Sequence, residues 1–316
     1  MKKFFIAIVA LAAAVSCSND DIISIDRQAI GFGNPFVENS VRATDYSVPA
    51  NLTQFKVYGI VKGTAGTVNI FAGVPVTGTV GAAEWSYAEQ YNQYWIPGAA
   101  YNFAAVVDAT VATSNAADTI GMPTTLTTTA DDNGNLNDML YATASVASAV
   151  ANQGVVGLTF EHMLSKVHFT VTSNAQGGYS HTVTGIKVSN FSQGTYTIAT
   201  GKWTGTAADI EFNEIPEVTS TSGKSNASLL LVPNAEPFKV EFTVNLYNGT
   251  TLLGTTTYAD GDADEVHNAI SVNSALVKGN SYNFTIACSV GNPIKFTVAN
   301  TTGSLGWGDD NSVTVQ

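Results

Sequence analysis

The sequence predicts an all-β protein, and three observations support this. Apolar residues recur at every second position, which is the spacing of a half-buried strand and not of a helix. Clusters of Asn, Asp and Gly at residues 132–135 and 247–249 separate these runs and favour tight turns. Thr, Val, Gly, Asn and Ser are abundant along the chain. Hairpins that pack into sandwiches are the expected result.

The clearest strand has its apolar face at Phe238, Val240, Phe242, Val244 and Leu246. Lys239, Glu241, Thr243 and Asn245 alternate with these residues, so one face is predicted to be buried and the other to contact water. The same pattern predicts strands near residues 55–57, 101–107, 167–171, 282–288 and 294–298. Residues 142–157 are small and weakly patterned, which predicts a connection or a short helix.

A short internal repeat suggests two domains of related design. Residues 98–103 and 279–284 share the pattern G-x-x-Y-N-F, and each leads into an alternating strand. The chain of 316 residues is also long enough for two cores. We therefore expect an N-terminal β-sandwich domain over residues 18–158 and a C-terminal one over residues 159–316.

The first seventeen residues are predicted to be a signal peptide. Lys2 and Lys3 precede an apolar run over residues 4–15 that is too short to span a bilayer. Ala13-Ala14-Val15-Ser16-Cys17 resembles the lipobox of bacterial lipoproteins. Cys17 is then the expected lipidation site, with an acyl anchor such as palmitate holding the precursor in the outer membrane.

The charge excludes some partners. Only 12% of the residues are charged and the formal net charge is −12, without clustered Lys or Arg. Nucleic acid is therefore not an expected partner, and membrane attachment has to come from lipid. With Cys17 acylated, Cys288 is the remaining thiol, so no intrachain disulfide is expected.

The candidate motifs for catalysis, cofactor binding and metal binding each depart from the pattern that their chemistry requires. Gly223-Lys224-Ser225 imitates the end of a phosphate loop, but Val218 stands where the first glycine belongs. Residues 260–265 are acidic, but Glu265 stands where a calcium loop requires Gly and Ser271 stands where it requires Glu. The four histidines are scattered, although His162 and His168 could share a strand face, and Cys288 is expected to be a buried thiol. We expect no cofactor, no metal and no enzymatic activity.

Several segments resemble the fimbrillin-like proteins of Bacteroidetes. They are the lipobox cysteine, Ile30-Gly31-Phe32, Val41-Arg42-Ala43 and the stretch over residues 160–169, FEHMLSKVHF, which is the most specific. The resemblance covers the whole chain in order. It implies two β-sandwich domains of transthyretin-like topology and a role as a type V pilus (fimbria) subunit.

The resemblance also implies a route of assembly. In that family an Arg-specific surface protease cuts the lipoprotein precursor in its first domain, the first strand is lost, and a strand of another subunit fills the groove. Arg27 and Arg42 are the arginines of the chain. Because Arg42 follows the candidate strand over residues 30–41, cleavage is expected between Arg42 and Ala43. The expected partners are other pilus subunits and the protease.

The donor strand is expected at residues 304–316. Val313 and Val315 alternate at the C-terminus, after Leu305 and Trp307. The alternative is that these residues form the last paired strands of the second domain.

A second function stays open from the sequence alone: a lipid-anchored surface protein that binds glycan or a host protein and does not polymerise. Its candidate site is the aromatic cluster Trp85, Tyr87, Tyr91, Tyr94 and Trp95. Core packing or a domain interface explains the same cluster.

Overall fold

The structure, a computed structural model, describes residues 28–37, 52–79, 81–82, 84–130, 136–150, 153–212, 223–224, 229–233, 238–259, 270–272, 275–290, 295–300 and 312–313. Strands dominate these residues, and the expectation of an all-β chain built from sandwiches is confirmed. No helix in the described part of the chain is long and apolar enough to cross a membrane.

The strands and short 3-10 helices of the first half are β1 (Phe32–Gly33), β2 (Phe36–Val37), β3 (Gln54–Gly63), β4 (Gly66–Thr77), β5 (Glu84–Trp85), η1 (Glu89–Tyr91), β6 (Ala100–Val107), β7 (Ala109–Thr113), η2 (Ala117–Thr119), β8 (Pro123–Thr128), β9 (Leu140–Val146) and β10 (Thr159–His162). Those of the second half are β11 (Ser165–Ser173), β12 (Tyr179–Thr197), β13 (Lys202–Phe212), β14 (Gly223–Lys224), β15 (Leu229–Leu231), β16 (Phe238–Asn248), β17 (Thr251–Tyr258), β18 (Ile270–Val272), β19 (Ser281–Cys288), β20 (Lys295–Asn300) and β21 (Ser312–Val313).

The first hydrophobic core lies on a six-stranded sheet in the order β2-β10-β9-β6-β3-β4. Its pairs are antiparallel except for β2 and β10, which run parallel. The short pair β1-β5 contributes to the same core. Aromatic rings fill it, with Phe55, Phe71, Phe103 and Phe160 all buried. Buried and exposed side chains alternate along these strands because one face of each strand contacts this core.

The second core lies between two layers. One layer has the order β14-β11-β19-β20-β21, and the other contains β17, β16 and β12. Val240, Phe242 and Val244 of β16 are buried in this core, while Lys239 is exposed, which confirms the alternation read from the sequence. β16 and β17 form a hairpin whose turn includes Gly249, with a φ of 59° that favours glycine.

The two halves share a sheet and a third hydrophobic cluster. Thr125, Leu126 and Thr127 of β8 pair with residues 195–197 at the end of the long strand β12. Leu126 and Met163 are buried in the cluster between the halves.

The structure bears on the prediction for residues 142–157 and on the predicted domain boundary. Residues 142–157 were expected to be a connection or short helix, and this is wrong for the first part, because Leu140–Val146 is strand β9, flanked by β6 and β10. The division into domains at residue 158 stays a prediction. Strand β10, which follows that position, pairs with the first sheet.

The G-x-x-Y-N-F repeat is a repeated turn. The N–H of Ala99 donates to Ile96 O (3.1 Å), and the N–H of Asn280 donates to Val277 O (3.2 Å). Gly98 and Gly279 occupy the third position of these turns with φ values of 82° and 73°. This geometry is that of a type II turn, which requires a positive φ there and so selects glycine.

Each turn is held by the tyrosine of its repeat. The hydroxyl of Tyr101 accepts the Ile96 N–H (2.8 Å) and donates to Tyr94 O (3.5 Å). The hydroxyl of Tyr282 accepts the Val277 N–H (2.9 Å) and donates to Ala275 O (3.2 Å). A buried tyrosine that bonds back to backbone upstream is known in other sandwiches as a tyrosine corner. The two halves are thus built around the same device.

We predict that Tyr101→Phe and Tyr282→Phe each lower the free energy of unfolding by about 1–3 kcal/mol, because a backbone N–H loses its partner. Urea denaturation measures the change. Tyr91→Phe is the control, since Tyr91 is 38% exposed. Unfolding energies equal to that of the control would show that the hydroxyls do not stabilise the turns.

Candidate functional site: the first-segment groove

Residues 28–37 run through a groove on the first core. We call this channel the first-segment groove. Phe32 and Gly33 pair antiparallel with Trp85 and Glu84 of β5. Phe36 and Val37 pair parallel with the start of β10. The segment therefore lies between two different walls and completes the surface of the core.

Backbone hydrogen bonds fix the segment on both sides. On one wall, the N–H of Ile30 donates to Gln93 O (2.8 Å), and the N–H of Trp95 donates to Gln28 O (3.2 Å). On the other wall, the N–H of Gly33 donates to Val156 O (3.0 Å), and the N–H of Val156 donates to Gly31 O (2.8 Å). Each buried backbone group without a partner costs free energy, so these bonds specify the position of the segment.

One hydroxyl reinforces this attachment. Tyr87 Oη donates to the carbonyl oxygen of Ile30 at 2.6 Å. Burial raises the pKa of Tyr87, so the phenol keeps the proton that this bond requires.

Two large side chains of the segment enter the core. Ile30 and Phe32 are buried, with 1% and 0% of their surface exposed. The ring of Phe32 packs edge-on, at centroid distances between 5.6 and 6.4 Å, against Phe55, Phe71, Tyr87 and Phe103. Burial of one phenylalanine stabilises by about 1.5–3 kcal/mol, and aromatic pairs add to this. Phe32 is therefore the main anchor of the segment.

Two glycines lie where the segment passes close to Val155. A Cβ atom on Gly31 would lie 3.1 Å from Val155 Cγ1, and one on Gly33 would lie 3.2 Å from Val155 Cγ2. Both distances are tighter than ordinary van der Waals contact. The glycines let the backbone come close enough to Val156 for its two hydrogen bonds.

The segment covers a part of the first core that no other described residue covers. Without it, the rings of Phe55, Phe71 and Phe103 would face a channel, and the groups that bond residues 28–33 would lose their partners. A sheet edge with unpaired groups beside an apolar channel is a binding site for another extended chain.

The structure places only part of the site expected from the sequence. Six of the expected site residues lie outside the described part of the chain: Cys17, Arg42, Ala43, Leu305, Trp307 and Val315. Val313 lies in β21, where it pairs with Val298 of β20 in the same chain. Arg42 comes five positions after Val37, the last described residue of the segment.

The aromatic cluster of the alternative function is split between core and surface. Trp85 and Trp95 are buried and pack on Phe55 and Tyr101 at 5.3 and 4.8 Å. Tyr91 and Tyr94 are 38% and 44% exposed. The indole rings thus stabilise the first core and are not available to a ligand.

The titratable groups weighed in the sequence are dispersed. His162 Nδ1 on β10 donates a hydrogen bond to Asp138 Oδ1 (2.9 Å). His168 lies on β11 of another sheet, so the expectation that the two histidines could share a strand face is wrong. His181 bonds Ser173 (2.8 Å), and burial lowers its pKa. In the described ranges, no three His, Cys, Asp or Glu side chains come close enough to hold a metal ion.

Cys288 is a buried free thiol, as expected from its position on an apolar strand face. Burial raises its pKa to about 11, so the sulfur stays protonated at neutral pH. A protonated, enclosed thiol is a poor nucleophile.

Sequence reasoning found the alternating residues Ile30 and Phe32 but missed both walls of the groove. Val155 and Val156 follow a weakly patterned stretch, and the wall at residues 93–95 has no strand pattern of its own. The one signal for the latter was the repeat, because Tyr101 bonds to Tyr94 and Ile96.

We predict that Phe32→Ala lowers the free energy of unfolding by about 3–5 kcal/mol, because it leaves a cavity between four aromatic rings. Urea denaturation followed by tryptophan fluorescence measures this. Gln28→Ala, at an exposed position of the same segment, is the matched control and should change stability by less than about 0.5 kcal/mol. Equal effects of the two substitutions would contradict the role of Phe32 as anchor.

Comparison with known proteins gives the following findings. A family model described as fimbrillin-like matches residues 41–301. No curated protein matches the sequence significantly. Among solved structures, a proposed cell adhesion protein from Bacteroides uniformis is similar in fold, with a TM-score of 0.51 and 16% identity over 87% of this chain and 98% of that chain.

Two further solved structures show weaker similarity. The fimbrial anchor protein Mfa2 from Porphyromonas gingivalis gives a TM-score of 0.39, with 14% identity over 88% of this chain and 99% of that chain. A fimbrial assembly protein from Parabacteroides distasonis gives a TM-score of 0.43, with 13% identity over 92% of this chain and 100% of that chain.

Proposed function

The chain belongs to the fimbrillin-like family, and from this membership we propose that it is a structural and adhesive subunit of a cell-surface pilus. The observation that carries the proposal is the first-segment groove, in which a short N-terminal segment buries Ile30 and Phe32 in the first core. A subunit that loses such a segment gains a binding site for a strand of another subunit.

The proposed precursor is a lipoprotein. Cys17 carries the acyl chains, which hold the precursor on the outer membrane with its sandwiches at the cell surface. The segment over residues 28–37 lies between this anchor and Arg42 in the sequence. Loss of the segment would therefore also release the subunit from its lipid.

Maturation in this proposal is a cut between Arg42 and Ala43 by an Arg-specific surface protease. The cut leaves residues 28–37 bound only by non-covalent contacts. The backbone hydrogen bonds to Gln93, Trp95 and Val156 then no longer benefit from covalent attachment, and a competing strand can displace the segment. The core supplies a strong driving force for refilling, since an empty groove exposes aromatic surface.

The proposed donor strand is residues 304–316 of a neighbouring subunit. Val313 and Val315 have the same two-residue spacing as Ile30 and Phe32, so both can point toward the core when the strand lies in the groove. Within its own chain, Val313 belongs to a strand of two residues, β21. Such a short pairing is easily exchanged for a longer one.

The proposed role is not catalytic. The fimbrillin-like family model supports this reading, and the described residues support it through the buried and protonated Cys288. The proposed location is the outer membrane for the precursor and the fimbrium for the mature subunit.

One observation favours a second candidate, a lipid-anchored surface protein that binds glycan or a host protein without polymerising. Tyr91, Tyr94 and Ile96 are 38%, 44% and 55% exposed and lie close together in the sequence. Exposed aromatic and aliphatic side chains of this kind suit a binding surface.

We predict that deletion of residues 304–316 abolishes polymers and leaves a folded monomer, because the donor strand is lost while both cores remain. Electron microscopy and size-exclusion chromatography of the protease-treated protein measure assembly. A variant with Val313→Thr and Val315→Thr is the matched test of the apolar contacts and should polymerise poorly at full length. Polymers that persist in both variants would refute donation by this segment.

A further inference from the structure

A second groove lies beside the tyrosine corner of the second half. The described residues around it border an open cleft of about 730 Å³, within the size range of ligand pockets. Its lining includes residues 275–278 on one side and Phe191, Tyr196 and Trp203 from β12 and β13 on the other. We call this channel the second groove.

The wall at residues 275–277 is the counterpart of residues 94–96 in the first half. The two tripeptides stand at the same distance before Tyr101 and Tyr282, and each is held by that tyrosine through the same two hydrogen bonds. Their exposures match as well: Tyr94 44%, Trp95 3% and Ile96 55%, against Ala275 exposed, Leu276 3% and Val277 48%.

In the first half, this wall holds a strand. The N–H of Trp95 donates to Gln28 O, and Ala29 pairs with Tyr94. Leu276 takes the place of Trp95 in the second half, and among the described residues its N–H donates no backbone hydrogen bond. Among the described residues, the same edge is thus paired in one half and borders a cleft in the other.

The lining of the second groove is mostly apolar and suits an apolar strand, and its two cationic residues are the exposed Lys202 and the half-buried Lys278. Tyr196 and Trp203 lie 5.4 Å apart and offer an aromatic surface like the one that surrounds Phe32. The ammonium group of Lys278 pairs with Glu161 (2.5 Å) and lies 5.8 Å from the Tyr196 ring centroid, so its charge is compensated within the protein.

We infer that the second groove accepts an extended segment from a second copy of this chain, and that this segment is residues 28–33. The chemistry is that of strand addition, with Leu276 N–H donating to the incoming backbone and one bulky side chain packing against the rings of Tyr196 and Trp203. Residues 28–33 carry no charge and already fit the equivalent wall in the first half. Their release from the second copy rests on the proposed function, because cleavage after Arg42 is what frees them.

The test uses the intact full-length protein and a fluorescent peptide of residues 28–37. In the intact chain the first-segment groove stays filled by its own covalently attached segment, whose effective concentration exceeds that of the peptide. We expect saturable binding by fluorescence anisotropy. Val277→Lys should weaken it at least about tenfold, because a lysine at a strand edge opposes further pairing.

Two matched controls locate the site. Ile96→Lys places the same substitution at the equivalent position of the first half, and Val290→Lys places it at a site of similar exposure away from both grooves. Both should leave the peptide dissociation constant within about twofold of the unchanged protein. Absence of binding, equal binding to the Val277 variant, or a loss caused by Ile96→Lys would each overturn the proposal.

A peptide of residues 304–316 tests the other occupant. If it alone binds, and Val277→Lys weakens it, residues 28–33 are the wrong segment and the proposal fails. The truncation experiment above uses neither Val277 nor these peptides. The peptide experiment therefore tests binding at the second groove, and the truncation experiment separately tests donor-strand assembly.

Discussion

Phe32 is fully buried in the first core, and this contact holds the N-terminal segment in its groove. Four aromatic rings surround Phe32, yet it belongs to a segment with only ten described residues. Such a segment is needed to complete the core but is attached to it by only a few backbone bonds. This combination makes the segment stabilising, and in the proposed function it also allows a strand of another subunit to take its place.

The tyrosine corners connect this segment to the wider fold. Tyr101 holds residues 94–96, and the neighbouring backbone at Gln93 and Trp95 in turn bonds the segment. Tyr282 holds the equivalent turn in the second half, beside an open cavity. The same tyrosine-bonded turn thus holds two similar backbone edges, at residues 94–96 and 275–277. The shared sheet of β8 and β12 and the ion pair of Glu161 and Lys278 join the halves that carry them.

Much of the fold follows from the sequence because side chains alternate along a strand. Val240, Phe242 and Val244 are buried as their spacing predicts. Strand β9 was missed since Ala142 buries little apolar surface, and its weak pattern resembles that of a connection. The pairing of β8 with β12 could not be predicted either, because the threonine-rich sequence of β8 does not indicate which strand it pairs with.

The candidate site was only half accessible from the sequence. Ile30 and Phe32 identify themselves by alternation, and the G-x-x-Y-N-F motif points to the turns. The opposite wall at Val156 joins the segment through backbone atoms, which leave no pattern in the side chains. Backbone pairing between distant segments depends on the fold as a whole, so local composition does not predict it.

We propose that this segment is removed when the subunit matures, and the identity of the N-terminal residue is the sharpest test. Mass spectrometry of the protein sheared from the cell surface should give Ala43 as the first residue, without lipid. A lipidated Cys17 as the only N-terminus would contradict the claim, since the segment would then remain in its groove.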